Sequence, residues 1–339
     1  MSHRIAINGF GRIGRGVLRA LVAQSSPLEV VAVNDLTDGA ALAQLYNFDS
    51  VYGRAPERAT VERDLQSGSD VLVIGARRIR LLAEREPDKL PWSELGVDVV
   101  LESTGRFTSA EGAGLHLQAG ATRVLVSAPA DGAQVTLVKG VNWQAYDPDR
   151  HTIVSNASCT TNALAPLAKV LNDLVGIEQG FMSTVHAYTA DQNLVDGPHR
   201  DPRRARAAAL NIVPSSTGAA KAIGLVLPEL DGKLAGDAIR VPVPVGSIVE
   251  LTAQVGREVG IDEIRAAYRE AAAGELFGVL EFSEDPLVSS DIVGNTHSSI
   301  FDAGLVRVMG EHVKVSAWYD NEWGFSNRAA ETLAMLAAS

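Results

Sequence analysis

One cysteine, Cys159, is all the thiol chemistry this 339-residue chain has. A lone cysteine cannot close an intrachain disulfide, which excludes the disulfide-stapled secreted scaffolds and makes a reducing, cytoplasmic setting the expectation. Long apolar runs are missing too. None approaches the ~20 residues that cross a bilayer, so no membrane association is expected. The opening stretch, MSHRIAINGF, reaches glycine and arginine too early for a secretory signal. Positive charge is in short supply: 30 Lys and Arg face 41 Asp and Glu, a formal net charge of −11. Such a surface repels a phosphate backbone and argues against nucleic acid as a partner. One basic run, RDPRRAR at 200–206, is the exception. Internal repeats and low-complexity tracts are absent, and no metal site is expected.

What is present reads as two domains, because the length exceeds what one hydrophobic core usually organises. Early in the chain, short β-branched runs (RIAIN, EVVAVND, VDVVLEST, RVLVSAPA) alternate with helical stretches such as RGVLRALVA. Continuous apolar strands separated by helices predict a parallel sheet covered on both faces. After about Asn172 the texture changes. FMSTVHAY, SIVELTAQV and VKVSAWYD are longer and partly alternating, as in a sheet with one packed face. LVRVMGEHVKVSAW predicts a hairpin turning near Gly310-Glu311. IDEIRAAYREAAAG predicts a helix with a stripe at Ile264, Ala267, Tyr268 and Ala271, closed by Gly274. SNRAAETLAMLAAS is also helical and is expected to return to the first domain.

INGFGRIGRGVLRAL places Gly9, Gly11 and Gly14 directly after a strand and at the start of a helix. The three glycines give a tight turn, close approach of backbone to pyrophosphate, and close helix–strand packing. Amides and dipole at the helix N-terminus then favour the phosphates. A second strand ends in Asn34-Asp35, about 20 residues beyond Gly14, where the fingerprint expects an acid for the ribose hydroxyls. Asp35 repels a 2′-phosphate, and the next residue, Leu36, offers no compensating cation, so NAD is expected over NADP.

Cys159 lies in SNASCTTNA, between HTIV and LAPLAKVL, at an expected strand-to-helix turn. A lone cysteine is by default a small buried hydrophobe. Here its neighbours Ser158, Thr160, Thr161 and Asn162 are polar, and a helix N-terminus would stabilise the thiolate and lower the thiol pKa. Leu164, Leu167, Leu171 and Leu174 continue the helical stripe, while Pro166 predicts a kink or a later start. A nucleophilic thiol needs a base. The seven histidines are His3, His116, His151, His186, His199, His297 and His312, and spacing alone does not choose among them. His186 ends an apolar strand before a polar loop, a suitable place for a side chain aimed into a cleft.

Ten ordered blocks, among them INGFGRIGR, NDLTD, ESTGRFT, SNASCTTN, TVHAYTADQ, RARAAALNIVPSSTGAAKA and WYDNEWGFSNR, run from residue 4 to about 335. Together they resemble the phosphorylating glyceraldehyde-3-phosphate dehydrogenase family. The resemblance implies an α/β Rossmann domain with a mostly parallel sheet at 1–158, completed by a helix at 321–339. It implies a catalytic and tetramerisation domain at 159–320 with a mixed, mainly antiparallel sheet. Cys159 would be the nucleophile that captures the aldehyde as a thiohemiacetal, and His186 the base during hydride transfer to NAD. The resulting thioester would be attacked by inorganic phosphate to release 1,3-bisphosphoglycerate. Cofactor contacts would come from Arg12, Ile13, Asp35, Arg85, Ser127 and Asn321 beside the three glycines. Substrate and phosphate would be held by Ser158, Thr160, Thr189, Thr217, Gly218 and Arg240. One of Arg203, Arg204 and Arg206 would join them, and a homotetramer is implied.

The sequence departs from the family pattern at three places. Ala163 replaces the second cysteine of the common CTTNC block, which removes any disulfide within that helix but no reacting group. Phe325 stands where DNEWGYSNR has tyrosine. Asp196-Gly197-Pro198 replaces the DLP of many NAD enzymes, which bears on how strictly NADP is refused. Three rival readings make different demands. An erythrose-4-phosphate dehydrogenase shares the Cys–His pair but typically reads NEL and SHPG where this chain has NDL and SAPA. An NAD-binding regulatory protein would have no use for the thiol. A cysteine hydrolase would leave Gly9, Gly11, Gly14 and Asp35 unexplained.

Overall fold

Seven strands from the first half of the chain run parallel within one nine-stranded sheet. The computed structural model describes residues 3–65 and 68–339. Two compact units emerge: Met1–Leu137 with Gln144–Ala157 and Ser326–Ser339, and Val138–Trp143 with Ser158–Phe325.

The first unit carries β1 (Arg4–Asn8), β2 (Glu29–Asn34), a short ribbon of β3 (Phe48–Asp49) and β4 (Gly53–Arg54), β5 (Ala59–Arg63), β6 (Asp70–Ile74), β7 (Arg77–Leu82), β8 (Val99–Glu102), β9 (Arg123–Val126), β10 (Val135–Thr136) and β11 (Ile153–Ser155). Its helices are α1 (Arg12–Ala23), α2 (Gly39–Asn47), α3 (Trp92–Leu95) and α4 (Ala110–Gln118). The sheet order is β10-β11-β9-β8-β1-β2-β7-β6-β5. All pairs from β10 to β7 are parallel. The sheet is mostly parallel, as expected; its exception is the margin of β5 and β6, where β6 runs antiparallel to both neighbours. The reason is length: only Gly75-Ala76 separate β6 from β7, too few residues for a crossover helix. Strand order reverses between β1 and β8, and the carboxyl ends on either side of such a switch leave a crevice. Trp92, fully buried, anchors a cluster with Ala6, Ala32 and Val100, while Ala113, Val124, Val126 and Ile153 form a second.

The second unit is built on β12 (Ile177–Ala187), β13 (Val213–Ser216), β14 (Leu234–Val241), β15 (Ser247–Val255), β16 (Leu280–Ser283), β17 (Ser299–Asp302), β18 (Arg307–Met309) and β19 (His312–Tyr319). Its sheet runs β13-β14-β12-β15-β19-β17-β16, with β18 on β19. Only β12/β14 and β16/β17 are parallel pairs. β18 and β19 form the hairpin, Met309 opposite His312, with Gly310 at φ +58°. β15 alternates as a half-buried strand should, with Val249, Leu251, Ala253 and Val255 inward. Against this face lies α5 (Cys159–Val175), which contacts β12, β15, β17 and β19. Leu164, Leu167 and Leu171 are fully buried beneath it, each contributing roughly 1.5–3 kcal/mol by transfer from water. The helix starts at Cys159 and runs through Pro166. Of the later helices, α6 (Ala219–Val226) follows β13, and α7 (Ile261–Ala273) buries Ile264, Tyr268 and Ala271. The Tyr268 hydroxyl donates to the Leu167 carbonyl at 2.5 Å, tying α7 to α5.

The chain returns to the first unit along α8 (Trp323–Ala337). Gln24 Nε2 donates to Asn327 Oδ1 at 2.7 Å, and Thr332 Oγ1 donates to Asn156 Oδ1 at 2.9 Å. A Cβ on Gly16 would lie 2.4 Å from Ser326 Oγ, so glycine there lets α1 and α8 meet.

Candidate active site

In the first unit, the chain leaves β1 at Asn8 and turns at Gly9, whose φ of +92° only glycine adopts freely. A Cβ on Gly9 would sit 2.7 Å from the Thr104 backbone nitrogen, and one on Gly14 would sit 2.2 Å from the Gly9 carbonyl oxygen. Gly11 differs. It caps α1, and a Cβ there would meet nothing within 4 Å. The first turn of α1 has neither a side-chain cap nor an acidic residue. A bare helix N-terminus facing open space suits an anion. It opens onto a cleft of about 430 Å³ lined by Asn8, Gly9, Gly11, Asp35, Arg85 and Thr104, among others. The Asp35 carboxylate accepts from the Phe10 amide at 2.8 Å and from the Thr37 amide at 3.0 Å, so the acid is fixed to the glycine turn.

The other expected cofactor contacts are less uniform. Arg85 is exposed on the cleft wall beyond β7, and Ile13 is half-buried in the first turn of α1. The Arg12 guanidinium pairs with Asp49 and lies 5.6 Å over the Tyr52 ring. Ser127 follows β9 and donates to the Glu102 carbonyl at 3.0 Å, and it does not line the cleft.

In the second unit, α5 opens at Cys159, just after Ala157, which takes a left-handed φ of +56°. Ser158 caps the helix by accepting from the Thr161 amide at 3.0 Å. Cys159 Sγ lies 3.5 Å from His186 Nε2, at the end of β12. His186 Nδ1 is 2.7 Å from the Ala187 carbonyl and 3.0 Å from an Arg240 nitrogen. One ring nitrogen cannot donate to a carbonyl and accept from a guanidinium together. The carbonyl contact is the shorter, and Arg240 reaches Ala187 O itself at 3.1 Å and Thr189 Oγ1 at 3.4 Å. Nδ1 therefore carries the proton, and Nε2 turns its lone pair to the sulfur.

Both groups are held uncharged. Burial pushes His186 down to about 3, and the Arg240 charge adds to the effect. Cys159 keeps partial solvent exposure, yet the protein surrounding it pushes the thiol up, with Arg240 and hydrogen bonding at Thr160 pulling the other way. Against the expectation of a thiol lowered by its helix N-terminus, burial here raises it, outweighing the Arg240 charge and the hydrogen bonding at Thr160. A neutral thiol faces a neutral base, ready to pass its proton on demand.

Around this pair, Thr189 and Arg240 are in contact, and Gly218 caps α6 without a side-chain bond. Thr217 Oγ1 accepts from the Ala219 amide at 3.2 Å. Thr160 is placed differently: its hydroxyl is buried against Tyr319 Oη at 2.9 Å, which in turn lies 2.8 Å from Thr184 Oγ1. In the basic run, Arg204 bonds Ser215 Oγ at 2.6 Å and the Ser216 carbonyl at 2.9 Å, and pairs with Asp191. Arg206 pairs with Asp196 at 2.9 Å, and Arg203 is exposed. Burial lowers the pKa of Arg240, and the nearby Arg204 charge adds to it. Asp191, paired with Arg204, offsets part of this effect on Arg240.

Asn321 is buried, its Oδ1 accepting from the Gly246 amide at 3.2 Å and from Ser247 Oγ at 3.0 Å. Ser247 Oγ also accepts from the Ala187 amide at 3.1 Å. Ser247 thus fixes which way the Asn321 carboxamide faces and ties it to the residue after His186. Nothing in its sequence spacing marks it. Tyr319, edge-on to His186 with ring centres 5.9 Å apart, also escaped the sequence reading.

Comparison with known proteins gives a consistent picture. Residues 3–110 match the family model for "Glyceraldehyde 3-phosphate dehydrogenase, NAD binding domain", and residues 158–321 match that for its C-terminal domain. The chain is 71% identical over 335 residues to a glyceraldehyde-3-phosphate dehydrogenase of Kitasatospora aureofaciens, covering 99% of each. It is 57% identical over 339 residues to glyceraldehyde-3-phosphate dehydrogenase 2 of Streptomyces arenae and 56% over 345 to the Mycolicibacterium smegmatis enzyme, each pair covered in full.

Proposed function

The chain belongs to the glyceraldehyde-3-phosphate dehydrogenase family, and from that premise we propose how its residues share the reaction. It is an NAD-dependent oxidoreductase acting on glyceraldehyde 3-phosphate. The first unit suits the dinucleotide: Gly11 leaves room at an uncapped helix, and Asp35 offers acceptors for ribose hydroxyls. Gly9, Gly14, Arg12, Ile13 and Arg85 complete the proposed cradle, and Asn321 presents its amide to the nicotinamide; Ser127, its hydroxyl given to the Glu102 carbonyl, is left out of it. When bound, NAD supplies the hydride acceptor.

The thiol and the imidazole do the rest. Cys159 Sγ attacks the aldehyde carbon while His186 Nε2 takes its proton and returns it to the forming oxyanion, giving a neutral thiohemiacetal and a neutral imidazole. His186 serves again as base for the hydroxyl proton when hydride departs, leaving a thioester on Cys159. Inorganic phosphate attacks that carbonyl, the sulfur leaves as thiolate, and the acyl phosphate is released. Arg240 and Thr189 hold one phosphate group. Thr217 and Gly218, at the start of α6, hold the other with Arg204, whose charge is felt at Arg240. Ser158 and Thr160 shape the first turn around them. We also assign the chain to a cytoplasmic homotetramer. Exposed apolar side chains on the second unit support the assembly: Phe181 is 74% exposed, Leu194 79%, Leu210 83% and Ile212 70%. Among the described residues, no helix is long and apolar enough to cross a membrane.

The observation that carries the mechanism is the 3.5 Å approach of Sγ to an Nε2 whose partner nitrogen is committed to Ala187 O. The test is NADH formation from glyceraldehyde 3-phosphate by the purified chain, with and without phosphate. Activity should need both NAD and phosphate and vanish when iodoacetamide has labelled Cys159. Full turnover after stoichiometric labelling, or a higher kcat/KM for erythrose 4-phosphate, would refute the assignment.

A further inference from the structure

The reaction makes no use of the most deeply buried acid in the first unit. Glu102 closes β8 with 1% of its surface exposed, and His116 on α4 has none exposed. A carboxylate in such a place must have every lone pair answered. Glu102 Oε1 accepts from the Thr104 amide at 2.8 Å and from the Thr104 hydroxyl. Oε2 accepts from Asn8 Nδ2 at 2.6 Å and lies 3.0 Å from His116 Nε2. The far nitrogen of that ring, Nδ1, receives the Trp92 indole N–H at 3.0 Å. An indole only donates, so Nδ1 is an acceptor and Nε2 carries the proton toward Glu102.

The network then runs outward to the cleft. Asn8 Oδ1 accepts from Asn34 Nδ2 at 2.7 Å, and the Asn34 carboxamide pairs with the backbone of Glu84 through two bonds of 2.8 Å. Ser103 Oγ donates to the Gly9 carbonyl at 2.7 Å. Asn8, Asn34, Glu84, Ser103 and Thr104 all line the cleft, and they stand on four different strand ends. One carboxylate, backed by one histidine of fixed tautomer, therefore sets the spacing of the four loops that form the mouth.

We propose that Glu102, held by His116 and Trp92, is the positioning residue of the nucleotide cleft, fixing the Gly9 turn against Thr104 in the conformation that receives NAD. The proposal rests on reading that cleft as the NAD site. Glu102→Gln keeps the shape but reverses one half of the pattern. Its amide nitrogen must confront either the two Thr104 donors or those of Asn8 and His116. His116→Leu removes the support and leaves the Trp92 N–H without an acceptor. His116→Gln can restore both bonds, its oxygen accepting from Trp92 and its nitrogen donating to Glu102.

The experiment measures NAD affinity by calorimetry on the full chain, with melting temperature, kcat at saturating NAD and the iodoacetamide rate at Cys159 read in parallel. Glu102→Gln and His116→Leu should weaken NAD about tenfold or more, the usual scale for losing a hydrogen bond to a charged group. Saturating kcat and Cys159 labelling should stay near wild type, and His116→Gln should bind NAD like the parent. Unchanged affinity in Glu102→Gln overturns the proposal, as does His116→Gln binding as poorly as His116→Leu. If Glu102→Gln does not fold, the His116 pair decides alone. Failure of the parent chain to bind NAD would instead sink the reading of the cleft.

Discussion

Arg240 touches three groups whose protonation or placement the reaction depends on: His186, the Ala187 carbonyl and Thr189. Its charge lowers the Cys159 thiol and lowers His186 further. Arg240→Met should therefore move the pH profile of Cys159 alkylation to higher pH, and a thiol titrating one pH unit higher carries about tenfold less thiolate at neutrality. An unmoved alkylation profile would show that the guanidinium acts only on phosphate. His186 makes a second, thermodynamic prediction. It titrates at about 3 in the folded chain and near its ordinary value of 6.5 when unfolded. Between those values the unfolded state binds a proton that the folded state refuses, so stability falls as pH falls through that window. His186→Asn should flatten this part of the stability–pH curve, measured by denaturant unfolding at a series of pH values. Equal slopes in both proteins would contradict the neutral, buried imidazole. None of this could be read from spacing, because seven histidines are scattered along the chain and the Cys–His contact joins residues 27 apart through the start of α5 and the end of β12.

Strand and helix ends, more than their middles, make the chemistry. β12 ends at His186–Ala187, β15 begins at Ser247, and Asn321 follows β19, so one serine hydroxyl ties three element termini together. Ser247→Ala should free the Asn321 carboxamide to turn, raising KM for NAD several-fold while the alkylation rate of Cys159 stays put. A parallel drop in both readouts would mean that the strand end has collapsed instead. Much of the element plan was legible beforehand. The mostly apolar runs of β1, β8 and β9 announced a parallel sheet, the Gly310 turn was found where the pattern put it, and of the expected stripe Ile264, Tyr268 and Ala271 are buried while Ala267 is half-buried. Two features were not. β5 is too polar to resemble a buried parallel strand, and β6, though apolar, is too closely followed by β7 to be one, so the two form an antiparallel margin. Pro166 predicts a kink or a later start; α5 in fact starts at Cys159 and continues past the proline, where the buried leucines on either side hold it on the sheet and tertiary packing overrides the lost hydrogen bond. Glu102 and Asn8 read as ordinary strand ends in the sequence, and only the pairing of β1 with β8 reveals them as neighbours.

At the scale of the whole chain, apolar surface left in the open carries the proposed assembly. Leu210, 83% exposed, and Ile212, 70% exposed, lie in the segment that precedes β13. Leu210→Asp should shift the mass measured by light scattering toward smaller species without lowering the melting temperature of the separated chain much. An unchanged tetramer would exclude this surface from the interface, and a parent chain that is already monomeric would end the proposal.

The same chain that opens the first unit also closes it, some three hundred residues later, with Ser326–Ser339. During synthesis the glycine turn and its sheet emerge early but wait for their last helix until the whole of the second unit has been made. The second unit is complete at Phe325, one residue before that closing segment begins. Translation should therefore yield a finished catalytic unit before a finished cofactor unit, with the unclosed surface of α1 exposed to chaperones in between. A released chain truncated after Phe325 should show protease resistance in the second unit and sensitivity in the first. Equal resistance in both would mean that α8 is dispensable to the sheet it joins.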